Sequence, residues 1–314
     1  MNLMRLIVSR CLACLLLLGV GTGAGAQAPA PLALVVLGSG GPGATGRAAS
    51  SYVVLVDGTP RILVDAGPGS FARLGESGLS LAKVDVVLLT HLHVDHAGEL
   101  PGLFKARAVS SAGPIRFQVF GPDGHKGAGN DATFPSTRRF VDLLFGANGA
   151  FGYLRNFSAP MTIRATNVHA VPARDAAPTT IYVDGDLVVN AIAGHHGDAP
   201  AVIYRVAFAG KSITFSGDID AEGLPGLRRI AKDTSLLVFN SVVLDPPGSP
   251  AVLYSLHTPP QTIGEVAAGA HAGKLLLSHL SPATDKARAA VAASIAVRYK
   301  GPQLLAEDGM RVEP

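Results

Sequence analysis

Apolar residues gather in short runs rich in valine, isoleucine and leucine, separated by clusters of Gly, Pro, Asn and Asp. Runs of that length and composition predict buried strands. After a Pro/Ala leader at 27–31, they fall at 32–37, 52–56, 61–64, 84–89 and 115–120, then at 161–168, 180–183, 187–193, 201–208, 211–215, 235–243 and 274–277. Asp57-Gly58, Asp184-Gly185 and Ala209-Gly210 are expected to turn neighbouring strands. Helical segments are expected at 70–75, 98–108, 136–145, 224–232, 262–270 and, as one amphipathic helix, 285–299. The order runs strands, helix, strands, helix in two rough halves, with no internal repeat. It predicts an α/β domain of two sheets packed face to face with helices outside.

The N-terminus stands apart from this pattern. Arg5 and Arg10 precede an apolar run at 11–20, and Ala24-Gly25-Ala26 before Gln27 forms a small-residue cleavage site. Together these are the parts of a secretory signal peptide, cleaved after Ala26. The run is too short for a permanent bilayer anchor. The expectation is therefore a signal peptide at 1–26, a single domain at 27–314, and a periplasmic or secreted protein without a stable membrane anchor. Removing 26 of the 314 residues leaves 288, and with the signal go Cys11 and Cys14, the only cysteines. A chain of that length buries a large core without disulfides, and cysteine ligands and nucleophiles are excluded. Loss of Arg5 and Arg10 lowers the basic count from 26 to 24 against 23 acidic residues. No basic tract remains to suggest nucleic acid or a membrane surface as partner.

Candidate chemistry is concentrated in Thr90-His91-Leu92-His93-Val94-Asp95-His96-Ala97-Gly98, directly after the strand at 84–89. The C-terminal ends of strands are where open α/β sheets present their functional groups. Imidazoles and a carboxylate packed this closely cost free energy unless a cation shares them. The stretch is a metal site, and one loop cannot enclose a metal pair by itself. Three later strand ends supply partners: His195-His196-Gly197 after 187–193, Ser216-Gly217-Asp218 after 211–215, and His279 after 274–277. Adjacent residues of an extended segment point opposite ways, so only one of His195 and His196 can face the metals.

Two other segments bear on the site. Gly38-Ser39-Gly40-Gly41-Pro42-Gly43 follows a strand, but no helix follows it as a dinucleotide site requires; the loop is assigned to a wall of the site. The irregular stretch 121–157 carries Phe145, Phe151, Tyr153 and Phe157. These either line a substrate cleft or form a satellite hydrophobic cluster. His125, His169 and His271 have no supporting pattern.

The string HLHVDH, a later His-Gly, Ser-Gly-Asp and a final His after an apolar strand resemble the metallo-β-lactamase superfamily. Leu37-Gly38-Ser39-Gly40, Arg47, Leu63-Val64-Asp65-Ala66-Gly67-Pro68-Gly69, His196-Gly197 and His257-Thr258-Pro259 resemble its ribonuclease Z and arylsulfatase-like branch more narrowly. The match runs from about Leu34 to Pro282. The resemblance implies an αββα four-layer sandwich with two divalent metals, usually Zn²⁺, in a cleft at one edge; residue type equally admits Mn²⁺ or Fe. It implies His91, His93 and His196 on the first metal, Asp95, His96 and His279 on the second, and Asp218 bridging both. Gly197 matches the family's His-Gly, which selects His196 over His195. Asp65 is expected to hydrogen-bond the ligand loop and orient a histidine, the other reading being a strand-end turn former. His257 is expected to assist the leaving group or bind substrate oxygens, the other reading being a loop histidine capping a helix. Asn240 stands where ribonuclease Z usually has glutamate, and Ile219 where the branch usually has threonine.

The expected activity is that of an exported binuclear metal hydrolase in which a metal-bridged hydroxide attacks an ester-type centre. Asp95 would orient it, and His257 would give a proton to the leaving oxygen. A phosphodiester is placed first, with sulfate ester, lactone, thioester and β-lactam as alternatives. Asp218 in place of cysteine counts against the best-known zinc β-lactamases. The partner expected is a small-molecule ester and not nucleic acid, and the sequence is silent on oligomeric state. A protein of another class, binding metal or ligand without catalysis, is the remaining alternative.

Overall fold

Successive side chains of a strand point to opposite faces, and here both faces are apolar. The computed structural model, which describes residues 30–43, 45–127, 133–173 and 175–314, shows where each face goes. The expected signal peptide and its cleavage point lie outside the described residues. The first half contributes β1 (Leu32–Gly38), β2 (Ser51–Val56), β3 (Thr59–Ala66), β4 (Val86–Leu88), β5 (Ile115–Pro122) and β6 (Met161–Val168). The second contributes β7 (Thr179–Asp184), β8 (Leu187–Ala193), β9 (Val202–Phe208), β10 (Lys211–Phe215), β11 (Leu236–Asn240) and β12 (Lys274–Ser278). The C-terminal segment adds β13 (Gln303–Leu305) and β14 (Arg311–Val312). These strands form two seven-stranded sheets, ordered β14-β1-β2-β3-β4-β5-β6 and β13-β12-β11-β10-β9-β8-β7. Each is mixed: β3 to β6 run parallel, as do β10 to β13.

Three hydrophobic cores separate four layers. Leu34, Val36, Val54 and Ile62 of the first sheet meet Val189, Val206, Leu236 and Val238 of the second in the central core. The intervening residues Val35, Val53 and Leu63 turn outward to pack with Leu103 and Phe104 of the helix Leu100–Val109 and Val141 of the helix Thr137–Phe145. On the other side Leu237, Phe239 and Leu275 pack with Leu227, Ile263 and Ile295 from helices Leu224–Ile230, Pro260–Gly269 and Arg288–Ala296. This is the αββα sandwich that the sequence leads one to expect. It directs the C-terminal ends of β3, β4, β10, β11 and β12 to one edge, between the two sheets.

Two differences from the expected elements have identifiable causes. The turn between β7 and β8 is centred on Gly185-Asp186 rather than Asp184-Gly185, because Asp184 still pairs with Leu187. Gly185, with φ 57°, takes the first central position. The expected helix at 285–299 is two helices. Ser281 caps Pro282–Lys286, and Asp285 is drawn to Arg47, whose Nη2 lies 2.9 Å from its Oδ1. The chain breaks at Ala287, φ −102° and ψ 24°, before Arg288–Ala296 begins.

The glycine-rich loop after β1 is held from the far end of the chain. Asp308 Oδ1 accepts from Ser39 N at 3.0 Å and Ser39 Oγ at 2.6 Å, while Oδ2 accepts from Ala48 N at 2.8 Å and Arg73 Nε at 3.0 Å. Arg47 Nη1 donates to Ser39 Oγ at 2.7 Å and to Ala306 O at 3.0 Å. Replacing Asp308 with alanine strands these donors, and the expected loss of stability is about 2–4 kcal/mol. The urea unfolding midpoint measures it.

Candidate metal centre

Asp65 closes β3 in a left-handed conformation, φ 54°, which asparagine and aspartate tolerate better than most residues. The turn sends its carboxylate beneath the next parallel strand. Oδ1 accepts from Thr90 N at 2.7 Å, and Oδ2 accepts from Thr90 Oγ1 at 2.8 Å and lies 2.8 Å from His96 Nδ1. The second sheet grips the same loop: Val202 N donates to Thr90 O at 2.8 Å and Tyr204 Oη to Leu89 O at 3.0 Å. His91 follows directly, and His93 begins the single helical turn Val94–Ala97 that carries Asp95 and His96.

The later strand ends converge on this loop. Asp218 follows β10, after Gly217 at φ 59°, where a Cβ would stand 2.8 Å from Thr90 Cβ. Asp218 Oδ2 lies 4.0 Å from His91 Nε2, 3.7 Å from His96 Nε2, 3.6 Å from His196 Nε2 and 3.4 Å from His279 Nε2. One carboxylate oxygen thus stands among four imidazole nitrogens from three segments. His279 Nε2 also lies 3.1 Å from Asp95 Oδ2. Candidate ligand atoms fall within 4.8 Å of one another in four sets: His91-His93-His196, His91-His96-Asp218, Asp95-His96-His279 and His196-Asp218-His257.

His195 and His196 part as adjacent extended residues must. His196 points inward, its Nδ1 held 2.9 Å from Leu256 O, whereas His195 Nδ1 lies 2.6 Å from Asp220 Oδ2. His257 is 7 % exposed, with its ring 5.1 Å from that of His196 and 6.0 Å from that of His279. It does not cap the following helix, whose N-cap is Pro259.

The protonation states of Asp218, Asp95 and His91 favour cation binding. Burial alone would raise Asp218, but His279 and His96 outweigh it and hold the carboxyl well below its usual range. Burial opposes ionisation of Asp95 too, and the hydrogen bond with His279 overrides it. Burial, reinforced by His96, keeps His91 neutral, the form that ligates. Burial also lowers His257, to about 4. In His96 burial opposes the charge, but Asp65 and Asp218 hold the imidazole well above its ordinary value. Its Nε2 is buried without a hydrogen-bond partner and lies 3.7 Å from each of Asp95 and Asp218. A buried polar atom left unpaired among carboxylates is what a cation would satisfy, so the donor set fits a metal.

Sequence patterning gave two contributors no role at the site. Asn240, at the end of β11, donates from Nδ2 to Asp218 Oδ1 at 2.5 Å; amide in place of carboxylate spares Asp218 a second negative charge. Phe134 packs its ring 5.6 Å from that of His93, positioned by paired hydrogen bonds with His125. Neither has a local signature. The aromatic residues at 145–157 neither line the cavity at the metal centre nor form one buried cluster: Phe145 stacks on Phe104 in the core, whereas Phe151, Tyr153 and Phe157 are exposed, the last two beside Lys105. The glycine-rich loop does wall the site. A Cβ on Gly41 would stand 2.7 Å from His279 Cε1, so only glycine admits the loop against this imidazole.

The family model of the metallo-beta-lactamase superfamily matches residues 44–258, and the chain belongs to that superfamily. It is a metal-dependent hydrolase. Ribonuclease Z of Mycobacterium marinum is 29 % identical over 261 residues, covering 79 % of this chain and 86 % of the relative. Ribonuclease Z of Mycolicibacterium paratuberculosis is 26 % identical over 259 residues, covering 79 % and 85 %. Among solved structures, the short form of human tRNase Z superposes with a TM-score of 0.66 at 22 % identity, covering 90 % of this chain and 98 % of that one. The metallo-beta-lactamase fold protein YhfI from Bacillus subtilis gives 0.66 at 19 % identity, covering 91 % and 100 %. These two likenesses concern the fold.

Proposed function

We propose that the protein is a binuclear, zinc-dependent phosphodiesterase. The observation that carries the reading is the placement of Asp218 Oδ2 within 4.0 Å of four imidazole Nε2 atoms. His91, His93 and His196 would hold one metal and Asp95, His96 and His279 the other, with Asp218 shared between them. Histidine and carboxylate donors without cysteine suit Zn²⁺ and also admit Mn²⁺ or Fe²⁺. When bound, the metals supply an activated water near neutral pH and polarise the scissile group. The likeness to ribonuclease Z supports a phosphodiester ahead of sulfate ester, lactone, thioester or β-lactam.

The chain's own residues divide the remaining work. Asp65 fixes the Nδ1 side of His96 and so directs Nε2 toward the centre. Leu256 O does the same for His196. Asp95, ionised and beside His279, would accept a hydrogen bond from a proton-bearing group and orient it. His257 is neutral at physiological pH, because burial holds it at about 4. It would therefore act through an N–H hydrogen bond to a substrate oxygen, not as the proton donor to the leaving oxygen that the sequence led one to expect. We further propose that the chain is exported, on the signal-peptide pattern at 1–26; mass spectrometry of the mature N-terminus should find it at Gln27.

The test is a chromogenic panel of phosphodiester, phosphomonoester, sulfate, lactone and cephalosporin substrates after loading with zinc or manganese. The phosphodiester should show the highest kcat/KM. Strong lactone or cephalosporin turnover with none of the phosphodiester would reverse the assignment.

A further inference from the structure

A cavity of about 380 Å³ opens directly onto the candidate metal centre, with His93, Asp95, His196, Asp218, His257 and His279 along one side. That size lies within the range of small-molecule sites, about 300–1,000 Å³. The rest of its lining is chiefly apolar: Pro42, Val242, Leu253, Leu256, Leu280 and Pro282. Val242 and Leu280 are buried, while Leu253, in the helical turn Ala251–Tyr254, and Leu256, between that turn and His257, are half-buried. Among the described residues lining this cavity there is no lysine or arginine. Arg47, which belongs to the same glycine-rich loop, is turned away and committed to Asp285 and Glu307.

A nucleic-acid strand is held mainly through its phosphates by cationic and hydrogen-bonding groups. Here the phosphates flanking the scissile one would meet leucine and proline. Apolar surface beside a reacting centre instead gains free energy by covering an apolar substituent.

From this we infer that the Leu253–Leu256 wall receives an uncharged aryl or branched-alkyl arm of a small, singly anionic diester, so that the substrate is an organic phosphodiester and not a polynucleotide. The inference rests on the phosphodiesterase reading for the reaction, but the arm pocket has its own readout.

Two measurements on the full, zinc-loaded protein test it. The first is calorimetric binding of phenylphosphonate and methylphosphonate, which need no turnover. The phenyl compound should bind about tenfold more tightly or better, as burial of a ring against leucine requires. The second compares kcat/KM for phenyl p-nitrophenyl phosphate and methyl p-nitrophenyl phosphate in the wild type and in Leu253→Lys. Comparing ratios cancels intrinsic reactivity, and the variant's phenyl-to-methyl ratio should fall about tenfold. Equal binding of the two phosphonates, an unchanged ratio in the variant, or tighter binding of a short single-stranded RNA than of phenylphosphonate overturns the inference. Loss of all diester turnover with the phenyl preference intact in binding overturns the phosphodiesterase reading instead and leaves the apolar subsite standing.

Discussion

Replacement of Asp218 by alanine is expected to lower phosphodiester hydrolysis by about a thousandfold or more, because a tenfold loss corresponds to only about 1.4 kcal/mol and Lewis-acid stabilisation amounts to several. The expectation follows from how many groups this carboxylate serves. Its Oδ2 is the common neighbour of His91, His96, His196 and His279, and its Oδ1 is fixed by Asn240. Without it the imidazoles on the two sides would share no anion, and in the proposed centre the repulsion between two dications would no longer be offset. Metal content should fall together with kcat/KM, which separates loss of the site from loss of a proton carrier. Undiminished hydrolysis in Asp218→Ala would show that the residue is not shared between the metals.

The second large effect is on stability. Gly67 lies just beyond β3, where the chain passes between the glycine-rich loop and the ligand loop. A Cβ there would stand 2.3 Å from Asp95 O, 2.6 Å from Ala49 C and 2.8 Å from Ala49 Cβ. Two of these obstacles are backbone and cannot swing aside as a side chain can. Gly67 N also donates to Ser50 O at 3.0 Å, so the residue cannot retreat without losing that bond. Gly67→Ala is expected to cost about 3 kcal/mol or more and to displace Asp95 from His279. A urea midpoint equal to that of the wild type would contradict the close packing described.

Much of this architecture was legible because its causes are local. Short valine- and leucine-rich runs such as 32–37 and 274–277 mark strands covered on both faces, and the structure finds them at Leu32–Gly38 and Lys274–Ser278. The ligand loop announces itself because four polar, metal-seeking groups follow one strand. What escaped is set by distant partners. Asp285 breaks a helical pattern through its pairing with Arg47, and Asn240 acquires its role only where β11 brings it beside Asp218. The strands Gln303–Leu305 and Arg311–Val312 are too short for periodicity to register. The apolar wall was likewise hidden, since Pro42, Val242, Leu253 and Pro282 meet only after both sheets have formed.

The proposed centre is a pair of metals held by seven side chains. Elemental analysis of the purified protein, paired with diester hydrolysis before and after chelation and zinc restoration, examines that claim in one experiment. The expected result is two zinc-class ions per chain, activity lost on chelation and recovered on adding the metal back. Fewer than one metal per chain, with no activity after zinc or manganese is supplied, would contradict it.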